Sequence, residues 1–476
     1  MKTGIRHRSA ILAVCLAAFL GSLLFTKTGL QGLLMSVLFL ICLTPTLVSL
    51  YRGRFDIFEP IVFHSLFMFM TSIAIFDRVY LSDPYLLYPE WVQWNSSTAF
   101  LILTVLYVVF YTFVLAGYYV KIERWMMIPE IPSQVDDLSG NTLKKLGLLY
   151  VFIGMVCYVL LIKESLSWDL LYLYSTAEPR SQIFDSTTHF MLGSRAVYVG
   201  YLVWLTGTLL DGRRTGIVHL LPILPILFLF LLLGGRGQVL LIVLVTATIL
   251  YYVHIFEIFE TKPRYIRILS DNLHDYIKLA FLPLSGIVLG FMTVFAGLAR
   301  SWRDTDNLFN PDLLVQMATF GIHNSHLDNL LVTLSIIPED SGFFWGTFIL
   351  RVPLNYIPRS IWSDKPVLTS GSLLRRLFLP DGTGGRPPGM IGRFFLDGGP
   401  VAILLGALLF GLILRLLYLL LRRNRHSPIF LLFYAFIFSS IATQGFLNGS
   451  LWMISNHLLL LSPLLVLGYI ESSLDE

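Results

Sequence analysis

The residues best suited to chemistry in this sequence are arginines and histidines gathered in its second half. Between 351 and 399 stand Arg351, Arg359, Lys365, Arg375, Arg376, Arg386 and Arg393, against only Asp364, Asp381 and Asp397. From 299 to 350 the balance reverses, with Arg300 and Arg303 facing six carboxylates. A guanidinium is a planar fork that meets a phosphate in two parallel hydrogen bonds, whereas lysine acts as a point charge. The basic half is therefore suited to gripping phosphate, although a solvated face touching anionic lipid headgroups has the same composition. Arg236 lies within Gly234-Gly235-Arg236-Gly237, between two strongly apolar segments. Glycines there let a phosphate approach the backbone N–H groups closely; a turn arginine reaching to a membrane boundary is the plainer alternative.

A second group is His323-Asn324-Ser325-His326-Leu327-Asp328. A histidine near its ordinary pKa can take a proton from a sugar hydroxyl, and a nearby carboxylate can orient it. His323 and His326 are three apart and share a face if the segment is helical. The same residues also suit plain hydrogen bonding. Metal binding is conceivable, but the spacing lacks HExxH and a clear third ligand, so no metal is assigned. Farther on, 381–393 is rich in glycine and proline and carries Arg386 and Arg393. The Pro387-Pro388 pair and Phe394-Phe395 suggest a defined path more than a flexible linker.

The elements that must position these residues follow from composition. The 476 residues are 55% hydrophobic and 13% charged, with a mean hydropathy of +0.73. Soluble domains carry roughly 25% charged residues, so the main solvent is lipid. That excludes a soluble enzyme on one anchor, a disordered chain and a secreted disulfide scaffold. Cys15, Cys42 and Cys157 all lie in apolar runs and read as packing residues.

About 12 membrane-spanning segments are expected, near 10–26, 30–50, 57–76, 98–120, 146–162, 190–210, 217–233, 238–256, 279–298, 400–421, 428–446 and 451–470. The first reads as an uncleaved helix. Eighteen Lys and Arg residues fall on one side, from Lys2, Arg6 and Arg8 to Arg422, Arg423 and Arg425, against six in the short connections opposite. Positive charge stays inside, so both termini are expected in the cytoplasm. The expected class is an all-α polytopic membrane protein in three parts: an N-terminal bundle of about nine helices (1–298), a large extracytoplasmic loop (299–399) and about three C-terminal helices (400–476). Two apolar stretches in the loop, Leu327 to Ile337 and Phe343 to Ile357, are expected as interfacial or re-entrant helices.

Tyr356-Ile357-Pro358-Arg359-Ser360-Ile361-Trp362-Ser363-Asp364-Lys365-Pro366 is similar to an "IPR…W…KP" signature. With the Gly-Gly-Arg-Gly turn, the glycine-rich approach to Gly398-Gly399 and the overall plan, the chain resembles the Wzy-type oligosaccharide repeat-unit polymerases, the O-antigen polymerase family. The resemblance implies transfer of a growing glycan from undecaprenyl pyrophosphate onto the next lipid-linked repeat unit, at the outer face of the bacterial inner membrane. No nucleotide sugar, cofactor or metal is implied. The pyrophosphate-binding set is expected among Arg236, Arg300, Arg359, Lys365, Arg386 and Arg393, with His323 or His326 as the base. One departure is Arg393, where comparable members carry an acidic residue. Expected partners are the lipid-linked oligosaccharide, membrane lipid and a chain-length regulator, with no nucleic acid. An O-antigen ligase, an outer-face transferase using a polyprenyl-phosphate sugar, and a lipid-linked oligosaccharide flippase remain as alternatives.

Overall fold

The computed structural model describes residues 29–52, 55–76, 78–79, 89–130, 139–169, 183–184, 187–210, 217–233, 236–256, 322–337, 342–351, 353–354, 357, 361–362, 364, 370–378, 386–444 and 449–475. Among these residues the regular elements are all helical. Four helices are long and apolar enough to cross a membrane, within Gly29–Tyr51, Ser96–Arg124, Gly140–Leu166 and Gly389–Arg423. Five more are apolar but only 10–17 residues long. The expected segments near 10–26 and 279–298 lie outside the described residues. The chain folds into two compact units, each drawn from separate stretches of sequence.

The first unit takes Met1–Met127, Thr319–Leu350 and Val367–Leu419. It holds α1 (Gly29–Tyr51), α2 (Pro60–Phe76) and α3 (Ser96–Tyr119). In the second unit are α4 (Gly140–Leu166), α5 (Thr188–Ser194), α6 (Ala196–Leu210), α7 (Ile223–Leu232) and α8 (Arg236–Phe256). The chain then contributes α9 (Ile322–Ile336), α10 (Thr347–Leu350) and α11 (Ser370–Phe378) to the first unit. Next come α12 (Gly389–Arg423), mostly in the first unit, and α13 (Pro428–Gln444) and α14 (Gly449–Asp475) in the second.

Local chemistry sets several of these boundaries. Asn95 caps α3, its Oδ1 accepting from Thr98 N at 2.9 Å, and Ser139 caps α4 by accepting from Thr142 N at 3.1 Å. Along the helices, hydroxyls bond back to carbonyls of the preceding turn, as in Ser36 to Gly32, Thr104 to Phe100, Thr206 to Leu202 and Thr246 to Ile242. Such bonds leave a polar side chain satisfied where no water is present. Large apolar residues stay uncovered along single helices, including Leu148, Phe152 and Val156 on α4 and Val401, Leu405 and Leu409 on α12. Those stripes suit contact with lipid tails.

In the first unit, α3 and α12 run antiparallel in backbone contact. A Cβ added at Gly117 would strike the Leu408 carbonyl, and one at Gly411 would strike that of Val114. Carboxylates just outside the helices meet side chains on them: Tyr418 OH donates to Asp56 at 3.0 Å, Tyr118 OH donates to Glu59 at 2.5 Å, and Arg415 pairs with Glu123.

In the second unit, glycines recur every seven residues on α4 and its approach (140, 147, 154) and on α5 and α6 (193, 200, 207). A Cβ on Gly147 would lie 2.6 Å from the Gly200 carbonyl oxygen, and one on Gly207 would lie 2.6 Å from that of Gly140. The two helices therefore meet backbone to backbone, antiparallel, as small residues allow in lipid.

Three segments differ from the sequence expectation. The segment near 190–210 is divided at Arg195 into α5 and α6. Within 217–233 a short 3-10 turn precedes α7, because Pro222 and Pro225 fall at the helix start, where missing N–H groups cost nothing. The stretch from Phe343 to Ile357 is not a continuous helix: among its described residues only Thr347–Leu350 is α-helical. Gly342, Trp345 and Gly346 there take φ of 66°, 48° and 76°, which no helix accepts.

Placing a bulky side chain on the glycine ridge should separate α4 from α6. Gly200→Leu is expected to lower stability by about 1–3 kcal/mol, read as a fall in the melting midpoint of the detergent-purified chain. Leu substitution at Gly29, which has open space around it, should leave that midpoint unchanged.

Candidate functional site

The histidine segment and the basic strip meet in the first unit. α9 begins at Ile322, five residues before the apolar stretch, so His323 and His326 both ride on its first turns. Its core side chains are fully covered: Leu327, Leu330, Leu331, Val332 and Thr333 are each 0% exposed. α9 is thus a packed element of the unit.

The pair that fixes it is Arg78 with Asp328. The two guanidinium nitrogens donate to the two carboxylate oxygens at 2.7 and 2.8 Å, with the side chains 1% and 2% exposed. This bidentate match accounts for both charges in a dry setting. Asp328 is thereby committed to Arg78 through both of its oxygens. Residues two apart on a helix point to different faces, and Asp328 faces Arg78. Farther along α9, Gln93 N donates to Ser335 Oγ at 3.3 Å and Gln93 Nε2 to the Ser335 carbonyl at 3.2 Å.

The start of α12 packs on the other side of α9. Asn329 Nδ2 donates to the Pro387 carbonyl at 3.1 Å. That carbonyl can only accept, so the amide orientation is fixed and Asn329 Oδ1 is the atom left over. Asn329 is 2% exposed, and Oδ1 accepts from no described residue. Gly389, at φ 69°, opens α12 against His326: a Cβ there would sit 3.8 Å from the histidine Cβ and 3.9 Å from Nδ1. Arg386 N donates to the Gly371 carbonyl at 2.9 Å, which holds the strip against α11. Arg393 follows on the first turns of α12, half-buried.

Ten residues into α12 the helix breaks. Gly398 and Gly399 leave helical geometry, Gly399 with φ 66° and ψ −153°, a combination that only glycine adopts readily. Pro400 has no N–H to offer the Leu396 carbonyl. The freed carbonyls are taken by a separate segment: Phe344 N donates to Leu396 O at 2.9 Å and Trp345 N to Asp397 O at 2.7 Å. The ring of Phe343 fills the space where a Gly399 side chain would stand, 2.7 Å from the ideal Cβ position. The irregular backbone at 342–346 is therefore the cap of the kink.

The expected site residues separate as follows. His326, Arg386 and Arg393 come together in the first unit, around the junction of α9, α11 and the start of α12. His323 lies on α9, but its side chain is outside the described residues, as is that of Arg236, the first residue of α8 in the second unit. Arg300, Arg359 and Lys365 lie wholly outside the described residues. Among the described residues no cluster of three or more His, Cys, Asp or Glu could hold a metal ion. Sequence reasoning missed Arg78, Asn329 and the 342–346 cap. A signal existed for the first two: Asp328-Asn329 interrupts the apolar stretch from Leu327 to Ile337, and such residues in lipid-rich chains usually have a dedicated partner.

Compared with known protein families, with characterised proteins and with solved structures, the chain matches none of them.

Removing one partner of the Arg78 and Asp328 pair leaves a buried charge uncompensated, at a cost of about 3–5 kcal/mol. Asp328→Leu should therefore melt well below the wild type, and Arg78→Met combined with it should recover most of the loss. A double variant no more stable than the single one would deny the coupling.

Proposed function

We propose that the chain is a metal-independent glycan polymerase of the Wzy type. In this reading it joins oligosaccharide repeat units carried on undecaprenyl pyrophosphate at the outer face of a bacterial cytoplasmic membrane. The reading includes about 12 membrane spans and cytoplasmic termini, on the strength of the lysine and arginine asymmetry.

One observation carries the proposal: in the first unit, His326 lies against Gly389, in the strip that carries Arg386 and Arg393, and three residues along α9 the buried Asn329 oxygen has no donor among the described residues. Guanidinium groups offset the charge that grows on a pyrophosphate leaving group, and do so most strongly where water is scarce. A histidine can take the proton of the attacking sugar hydroxyl. A carbonyl oxygen such as Asn329 Oδ1 accepts from a hydroxyl and repels phosphate, so it suits the sugar side of the reaction. By their residue type and sequence setting, Arg236, Arg300, Arg359 and Lys365 are further candidate phosphate ligands. No cofactor is required: the acceptor hydroxyl oxygen bonds to the anomeric carbon of the donor glycan, the bond from that carbon to the pyrophosphate oxygen breaks, and undecaprenyl pyrophosphate leaves intact.

The test is reconstitution. The purified chain supplied only with a lipid-linked repeat unit should build a ladder of lengthened glycans. Product appearing only when a lipid A core acceptor is added would indicate a ligase instead, and no product with either acceptor would favour transport. Arg386→Ala or Arg236→Ala should slow ladder formation by about 10²–10³-fold at normal protein levels, and wild-type ladders from both variants would sink the phosphate assignment.

A further inference from the structure

The second unit buries a cation to which no described carboxylate is paired. Arg195 stands at the break between α5 and α6, its N–H bonded to the Leu192 carbonyl at 3.1 Å and its carbonyl accepting from Val199 N at 3.2 Å. The residue is 4% exposed, and Nη1 is dry and has no hydrogen-bond partner among the described residues. A guanidinium is cationic in proteins, and no described carboxylate is paired with this one.

The surrounding groups do not supply one. Tyr198, one turn along α6, and His457 on α14 are both within electrostatic range of Arg195. The two are bonded to each other, Tyr198 OH to His457 Nε2 at 2.7 Å. The other ring nitrogen, Nδ1, lies 3.3 Å from Ser440 Oγ. That hydroxyl spends its own proton on the Phe436 carbonyl at 2.7 Å, so it accepts from Nδ1–H. With Nδ1 protonated, Nε2 is the acceptor for the tyrosine hydroxyl and the ring is neutral. Among the described residues the place thus holds one positive charge with an unpartnered donor, Nη1, beside neutral polar groups, which together specify an anion.

We propose that Arg195 binds a phosphodiester in the second unit. The match is one of charge and shape. A single guanidinium balances one negative charge, which a phosphodiester carries and a phosphate dianion exceeds. The planar fork meets two phosphate oxygens at once. An anion that reaches so dry a place must also tolerate apolar surroundings, which favours a lipid headgroup; free phosphate as its dihydrogen monoanion offers the same single charge and paired oxygens. The inference does not depend on the glycan-polymerase reading, and its readout is binding alone.

The full chain in dodecyl maltoside is melted with increasing dioctanoyl-phosphatidylglycerol, with inorganic phosphate at pH 6, and with dioctanoylglycerol or matched chloride as controls. Phosphatidylglycerol is expected to raise the wild-type midpoint by about 3 °C or more above the controls. Arg195→Met, which removes the charge and keeps the bulk, should melt no lower than the wild type without anion and should not respond. A response to inorganic phosphate alone would identify the source as free phosphate and uphold the site. Should Arg195→Met fail to fold, Arg195→Lys is the second measure, expected to need about tenfold more probe for half the effect. The proposal is overturned if neither phosphate raises the wild-type midpoint above the controls, or if the variants titrate as the wild type does.

Discussion

A chain with so few charged groups has little water to rely on, and each polar group withdrawn from solvent must find its partner inside the fold. The architecture follows that requirement more closely than it follows helix propensity. Serine and threonine hydroxyls turn back to their own helices. Where Pro400 breaks α12, the Leu396 and Asp397 carbonyls are met by Phe344 and Trp345. That reciprocal supply explains why a segment as apolar as 343–357 is not a helix: its backbone donors at 344 and 345 are committed to the kink, and its glycines bend it into place.

Two buried arginines show the same rule with opposite outcomes. Arg78 is matched by Asp328, oxygen for nitrogen, and the pair joins segments 250 residues apart in the first unit. A pair so enclosed contributes mainly specificity, since its Coulombic gain is largely offset by desolvation. It fixes the rotation of α9 about its axis, and with it the direction in which His326 faces. Arg195 has no such match among the described residues. One charge is structural because its partner is in the chain; the other is the one for which a bound anion is proposed.

Much of the helical plan was legible because apolar runs of about 20 residues allow few other readings in this composition. The kink could be read from Gly398-Gly399-Pro400, and the divided entry to α7 from Pro222 and Pro225. What could not be read was long-range pairing. Nothing near Arg78 marks Asp328 as its partner, and nothing near Pro387 points to Asn329. The heptad glycines of α4 and α6 were visible in the letters but look like ordinary membrane-helix glycines until the two sets are laid side by side. For the candidate site, the residue types singled out His326, Arg386 and Arg393, while only folding shows that the start of α12 packs against α9.

The glycine ridge has a mechanical consequence. Where two helices touch through their backbones every seventh residue, a slide of any smaller step sets a side chain on a carbonyl. The next permitted position is a full heptad away, about 10.5 Å along the axis. The α4 and α6 pair is accordingly a latched strut with no intermediate setting. Any movement a working cycle demands of this chain must be absorbed elsewhere, at joints such as Gly398-Gly399 where the backbone has already left the helix.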